Sequence, residues 1–383
     1  MDVLWHSNAP WLNSAYAIQT ALFTSRINKL TDHRVVAISA PYSGAGSFLE
    51  WEGIPVLPAV RDVAGNDVLP LHYEWFKADA LISLADPFGL LPCARELART
   101  RFFPWFPVDV QPMGNGDVTV LRESGATPIA MSRFGERMLR DEGAYPLFCP
   151  HAVDTEIFSP GDPAPFRETV PGVGPETFLI GIVGLNRGRR KAFDQQLLAF
   201  SRFHARHPDS FLALHTAPGG PAPAVNLTGL CSQLGITGCV SFPDSYLYDT
   251  SQVSAAQMAA WYRGCDVISL ASRGEGFGCP LIEAQSCGTP VICTDASAMS
   301  ELCGTGWLVS GQPEWEDGHC GFWRNPSTED VEQAYEAAWL AREDGKMPEL
   351  GGSARAFGLR FSIDTIFEQY MVPVLAAIEE QIS

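Results

Sequence analysis

Short unbroken apolar runs alternate along this chain with longer stretches in which apolar residues recur every three or four positions. Residues 35–38, 80–84, 127–131 and Phe178–Val183 read as strands buried on both faces. Ser210–His215, 240–242, Val267–Leu270 and Val291–Thr294 form a second series of the same kind. Helical stretches separate them, so the pattern predicts an α/β class with doubly wound parallel sheets. Between the series, Ser159-Pro160-Gly161-Asp162-Pro163-Ala164-Pro165 and Pro171-Gly172-Val173-Gly174-Pro175 lack any helical period. They predict a linker over 158–175, with one domain over 1–157 and another over 176–358. The segment 359–383 ends the chain with an amphipathic helix.

Length agrees with two domains: 383 residues exceed one ordinary core. The start, Met1-Asp2-Val3-Leu4-Trp5-His6, has no basic region and runs into Ser7-Asn8-Ala9-Pro10, and no later apolar run is long enough to span a bilayer. A cytoplasmic protein without a signal peptide is expected. The ten cysteines show neither a C-x-x-C pair nor zinc spacing, so reduced, buried thiols are expected and a structural metal is not. A net charge of −18 argues against general nucleic-acid binding, which needs a basic footprint. The acid is uneven, −4 over 1–150 and −14 over 151–383, which leaves room for a local basic face in the first half.

The chemistry concentrates after 267–270. Ser272-Arg273-Gly274-Glu275-Gly276-Phe277-Gly278-Cys279-Pro280 leads into Leu281-Ile282-Glu283-Ala284-Gln285-Ser286-Cys287, closed by Gly288-Thr289-Pro290. Pro280 suits a first helical turn and Gly288 the position beyond a last one. Glycines before a helix bring backbone amides close to a ligand, and the helix N-terminus favours an anion, so a phosphate is the physical expectation. Glu275 and Glu283 suit hydroxyl partners instead, such as the diols of a sugar or a ribose, through charge-assisted hydrogen bonds. Each also reads as a solvated loop acid or as a first-turn acid favoured by the helix dipole. Farther upstream, Gly184-Leu185-Asn186-Arg187-Gly188-Arg189-Arg190-Lys191 follows the strand ending at Val183. It reads either as a solvated charge run or, at the carboxyl end of a parallel strand, as a ligand loop.

Glu275 and Glu283, seven residues between them, within E-G-F-G-C-P-L-I-E-A-Q-S-C-G-T-P-V-I, resemble the double-glutamate signature of glycosyltransferase family 4. The resemblance implies the GT-B architecture, two Rossmann-like doubly wound domains facing a cleft. It implies a retaining enzyme that moves a hexose-type sugar from a UDP- or GDP-linked donor to a hydroxyl acceptor, with the nucleotide sugar as co-substrate and no separate cofactor. Glu275 and the backbone of Gly276, Phe277, Gly278 and Cys279 then hold the donor sugar, and Glu283 the ribose. Arg190 and Lys191 match the family's cations on the diphosphate, with Arg187 and Asn186 beside them. Fixed cations can stabilise the leaving phosphate without magnesium, and no Asp-x-Asp motif occurs, so no metal is expected. His151-Ala152-Val153-Asp154-Thr155-Glu156-Ile157-Phe158-Ser159-Pro160 resembles the family's domain-crossing segment, and the last helix resembles one that returns to the first domain.

The first domain departs from the pattern. Where the family has a glycine-rich loop, this chain has Asn13-Ser14-Ala15-Tyr16-Ala17, with Asn13 and Ser14 as possible donors of hydrogen bonds. Asp109, in Trp105-Phe106-Pro107-Val108-Asp109, is the candidate for acceptor contact or proton relay, and Asp86 a weaker one. Either could equally cap a turn. The acceptor is left open among protein, glycan, lipid-linked and modified-nucleobase chemistry. Two other readings stay open: a binding module of this fold that has lost transfer, and a nucleotide-sugar epimerase.

Overall fold

Fully apolar strands need cover on both faces, and the order in which they pair decides where a ligand can enter. The computed structural model describes residues 1–41, 48–220 and 223–383. Contacts divide the chain into two units. The first comprises Met1–Ala152, Glu316–Gly321 and Ile363–Ser383, and the second Val153–Trp315 and Phe322–Ser362.

Among the described residues of the first unit, eight strands form one sheet, with Asp2–His6 parallel to both Arg34–Ala40 and Ala80–Ser83. Ala80–Ser83 continues through Phe102–Phe106 to Ile129–Ala130 and Leu147–Phe148, all parallel. Among the described strands of this sheet, only the short edge strand Leu49–Trp51 runs antiparallel, against Ile54–Pro58. Trp5, Phe23 and Trp105 meet edge to face in the core, Trp105 lying 6.3 Å from Trp5 and 5.1 Å from Phe23. The Trp105 indole donates to the Cys149 carbonyl, which satisfies its one polar atom. The closing helix runs without a break from Ile363–Ile366 through a wider π turn over Phe367–Met371 into Val372–Ile382. Its apolar face, including Ile366, Phe367, Met371 and Leu375, is buried.

The second unit has a six-stranded sheet among its described residues, parallel throughout, in the order 240–241, 210–215, 178–183, 267–270, 291–294, 306–309. Phe178–Val183 is buried along its whole length. Helix Phe193–Arg206 covers one face with Phe193, Leu197, Phe200 and Phe203, each buried. From 178–183 the chain first builds outwards on one side through 210–215 and 240–241. It then returns to the other side at 267–270, so the order reverses between these two adjacent strands. That switch point places the loops 184–191 and 271–278 side by side at the carboxyl ends, where open α/β sheets bind ligands.

The Pro- and Gly-rich stretch 158–175, read from sequence as a linker, is packed within the second unit. Arg167 is buried there and donates to the carbonyls of Gly264, Gly174, Pro175 and Thr177 and to Asp266. Phe166 packs near Trp261, against the side-chain-free Gly264. Apart from the short helical turn Ala164–Arg167, which the sequence reading did not expect, the backbone here is irregular, but its carbonyls are claimed by a buried guanidinium and it is fixed. The chain passes from one unit to the other between Ala152 and Val153. Asp154, just beyond, holds that turn by accepting from the amides of Glu156 and Ile157.

Candidate functional site

The two loops at the switch point of the second unit meet through charge. Arg190 Nη1 donates to Glu275 Oε2 and Lys191 Nζ to Glu275 Oε1, both at 2.6 Å. Arg190 also reaches the Gly274 carbonyl at 2.9 Å. Glu275 is only 6% exposed, and burial alone would favour its neutral form; the two cations win and hold its carboxyl down at about 2. Burial draws the Lys191 ammonium below its usual value, while Glu275 pulls the other way. One carboxylate between two cations leaves one positive charge in excess, at the place where sequence reasoning put a diphosphate.

Local backbone makes this possible. Gly184 has no side chain, and a Cβ there would stand 2.9 Å from the Lys191 stem, so the stem lies across the end of the strand only because residue 184 is glycine. The Lys191 carbonyl is held by Gln196, whose Oε1 accepts from Ser269 on the neighbouring strand. On the other loop, the Glu275 amide donates to Ser297 Oγ at 3.0 Å.

Gly278 takes φ +114° at the start of helix Cys279–Ser286, a conformation that favours glycine. Cys279 and Pro280 open the first turn, and its leading amides point out of the helix end, where an anion is favoured. Burial raises the Cys279 thiol well above its ordinary value, and the nearby Glu283 and Glu275 add to this. Phe277 is buried, its ring 6.1 Å from that of Phe361, and Gly276 is half-buried. Glu283 sits in a recess in which the Tyr262 hydroxyl donates to Oε2 at 2.7 Å. Desolvation there pushes its carboxyl up to about 7. The two glutamates of the motif therefore stand in opposite electrostatic states, one fixed as a carboxylate and one poised near neutrality.

Other expected residues fall elsewhere. Asn186 is turned inwards, its amide donating to the Ala217 and Val225 carbonyls and its oxygen accepting from the Val225 amide. It shapes the loop instead of facing a ligand. Ala217, one of its partners, lines a depression together with Pro218, Pro243 and Tyr248. Arg187 is exposed and, unlike Arg190 and Lys191, is not drawn to Glu275. Ser14 caps helix Ala15–Leu30, its hydroxyl accepting from the Ala17 amide and from Asn8. Asn13 beside it is exposed. Asp109 is half-buried beyond Phe102–Phe106, and Asp86 accepts from the Tyr16 hydroxyl. These four belong to the first unit and the Glu275 group to the second. Asp109 and Asp86 add to the desolvation that lifts buried Asp117 to about 7.

Sequence reasoning missed Tyr262, Ser297 and the environment of Arg273. Nothing in a lone Tyr twenty-one positions before Glu283 marks it as its partner; the pairing exists only once two helices pack. Arg273 was visible as an arginine inside the glycine loop, and its complete burial was not.

The sequence pattern of the family described as Glycosyl transferases group 1 matches residues 177–317, the stretch that contains this whole constellation. The D-inositol 3-phosphate glycosyltransferase of Stackebrandtia nassauensis is 28% identical over 72% of this chain and 62% of its own length. That of Rhodococcus jostii is 30% identical over 67% of this chain and 54% of its own. The chain thus aligns with less than two thirds of the length of either relative. Among solved structures, sucrose-phosphate synthase from Thermosynechococcus elongatus superposes with a TM-score of 0.74 at 15% identity, covering 98% of this chain and 100% of that one. The Anabaena protein HepE, solved with UDP and glucose, gives 0.74 at 17% identity over 98% and 99%. At these identities the superpositions establish the GT-B fold. Among the described residues no helix is long and apolar enough to cross a membrane. The double-glutamate segment lies inside the matched stretch and the fold is that of GT-B proteins, so residues 177–317 form a group 1 glycosyl transferase domain.

Proposed function

We propose that this protein transfers a hexose-type sugar from a nucleoside diphosphate donor, UDP- or GDP-linked, to a hydroxyl acceptor, with retention and without a metal ion. The observation that carries the reading is the Arg190–Glu275–Lys191 group beside the N-terminus of helix Cys279–Ser286, with Glu283 on that same helix. In the reaction the bond from the anomeric carbon to the β-phosphate oxygen breaks, and the acceptor oxygen bonds to that carbon on the same face. The acceptor proton passes to the departing phosphate, so no base on the far face is required. Negative charge grows on the diphosphate as it leaves, and Arg190, Lys191 and the helix amides are fixed where they lower its energy without reorganising. Glu275 keeps its carboxylate to accept from sugar hydroxyls, and Glu283 accepts from the ribose. Asp109 serves acceptor contact. The relatives named as glycosyltransferases support sugar transfer, and the neighbour solved with UDP and glucose supports a nucleotide-linked donor here.

The test is thermal unfolding with UDP, GDP, ADP and TDP, each with EDTA present. A ligand at 100 times its Kd adds ~2.7 kcal/mol of stability. A rise with one nucleotide is expected, and it names the donor base. No rise with any of the four overturns the reading.

A further inference from the structure

We propose that Arg273 is a positioning residue of the donor site, a side chain that sets the alignment of Arg190 and Lys191 toward a diphosphate; this rests on the donor-site reading above. Arg273 is fully buried. Its guanidinium is engaged on every edge: Nε donates to Glu314 Oε2 at 3.0 Å, Nη2 to Gln195 Oε1 at 3.2 Å and to Asp194 Oδ2 at 3.4 Å, and Nη1 to the Arg189 carbonyl. Its main chain is pinned as well. The Arg273 amide donates to the Arg190 carbonyl at 2.7 Å, and its carbonyl accepts from the Arg324 amide at 3.0 Å.

Three segments therefore converge on one residue: the loop 189–195, the glycine loop itself, and the hairpin of Gly311–Glu316 with Gly321–Pro326. The carbonyls of the two residues just before Lys191 are both bonded to Arg273, one through its side chain and one through its backbone. The Arg190 side chain is in turn bonded to Gly274 and Glu275, the next two residues along. Glu314 closes the ring by also pairing with Arg189 at 2.9 Å. A planar fork with five donors can hold a carbonyl and two carboxylates at fixed angles, and a point-charge ammonium cannot. Arg273 touches neither donor nor acceptor in this scheme; it acts by fixing the peptide that carries the two cations.

The experiment compares wild type, Arg273→Lys and Glu314→Gln by isothermal titration with the monophosphate and the diphosphate of whichever nucleoside stabilises the wild type, well below the unfolding temperature. Glu283, which is proposed to hold the ribose, is bonded to Tyr262 and lies outside the fork, so monophosphate affinity is expected to hold in Arg273→Lys. The preference for diphosphate over monophosphate is expected to fall about tenfold, the worth of one charge-assisted hydrogen bond. Glu314→Gln, which leaves the bonds of Arg273 to the Arg189 carbonyl, Asp194 and Gln195 but weakens the Glu314 pairings with Arg273 and Arg189, is expected to lose part of that preference. Plain loosening of the fold would lower the Tm and weaken both ligands together. An undiminished preference in Arg273→Lys overturns the proposal, and if that variant does not fold, an undiminished preference in Glu314→Gln overturns it equally. A wild type without diphosphate preference instead removes the donor-site reading, and this proposal with it.

Discussion

Replacing Glu275 with Gln separates the electrostatics of the site from its shape. The side chain keeps its volume and one carbonyl oxygen, but Arg190 and Lys191 lose the charge that lies 2.6 Å from each. The carboxyl titrates at about 2 in the folded protein against an ordinary 4.5, a difference worth about 3 kcal/mol of stability at neutral pH. Removal of one partner from a buried ion pair independently suggests ~3–5 kcal/mol. For a unit of this size, ~2–4 °C per kcal/mol then predicts a fall in Tm of about 10 °C.

The pH dependence has a definite sign. The folded pKa lies below the unfolded one, so this stabilisation is fully present above about pH 5 and is lost as the pH falls through about 2. Urea unfolding of both proteins from pH 7 to pH 2.5 reads it directly, and the gap between them should narrow steadily toward the acid end. The same substitution releases two cations, so affinity for nucleoside diphosphate should hold or rise while turnover drops. A gap that does not change with pH, or no gap at pH 7, refutes the ion-pair account.

Glu283 carries the opposite shift. Its carboxyl is raised to about 7 by burial and becomes a full acceptor for ribose hydroxyls only when ionised, so nucleotide affinity in wild type should strengthen as the pH rises from 6 to 8. Titration calorimetry on Glu283→Gln should show weaker binding and a flat profile; a wild-type profile that is flat too would remove Glu283 from the ribose. Asn186→Ala should behave as a structural lesion, because it strands two carbonyls and an amide of the 217–225 loop. A loss of ~1–3 kcal/mol in denaturant unfolding is expected, with kcat at saturating donor nearly kept; normal stability with lost turnover would return Asn186 to the ligand side.

What the chain determines by itself is whatever local physics decides. Phe178–Val183, Val267–Leu270 and Val291–Thr294 were legible because a strand buried on both faces must be apolar at every position. The glycine loop before Pro280 and the Gly288 stop were legible because backbone conformation, helix caps and anion sites depend on near neighbours. The spacing of Glu275 and Glu283 was enough to name a family.

The resemblance singled out Arg190 and Lys191, but only the tertiary structure decided what each of the four cations in 187–191 pairs with. Arg189 turned to Glu314, Arg190 and Lys191 to Glu275, and Arg187 to the surface, because the sheet order sets two loops side by side that lie more than eighty residues apart in sequence. It also set Asn186, Ser14 and the 158–175 stretch against backbone atoms of the fold. A polar side chain or a Pro-rich segment carries no mark of whether backbone atoms from distant parts of the chain will claim it. The split between Glu275 and Glu283 has the same origin: their pKa values depend on burial and on partners brought in by packing, Arg190 and Lys191 for one and Tyr262 for the other.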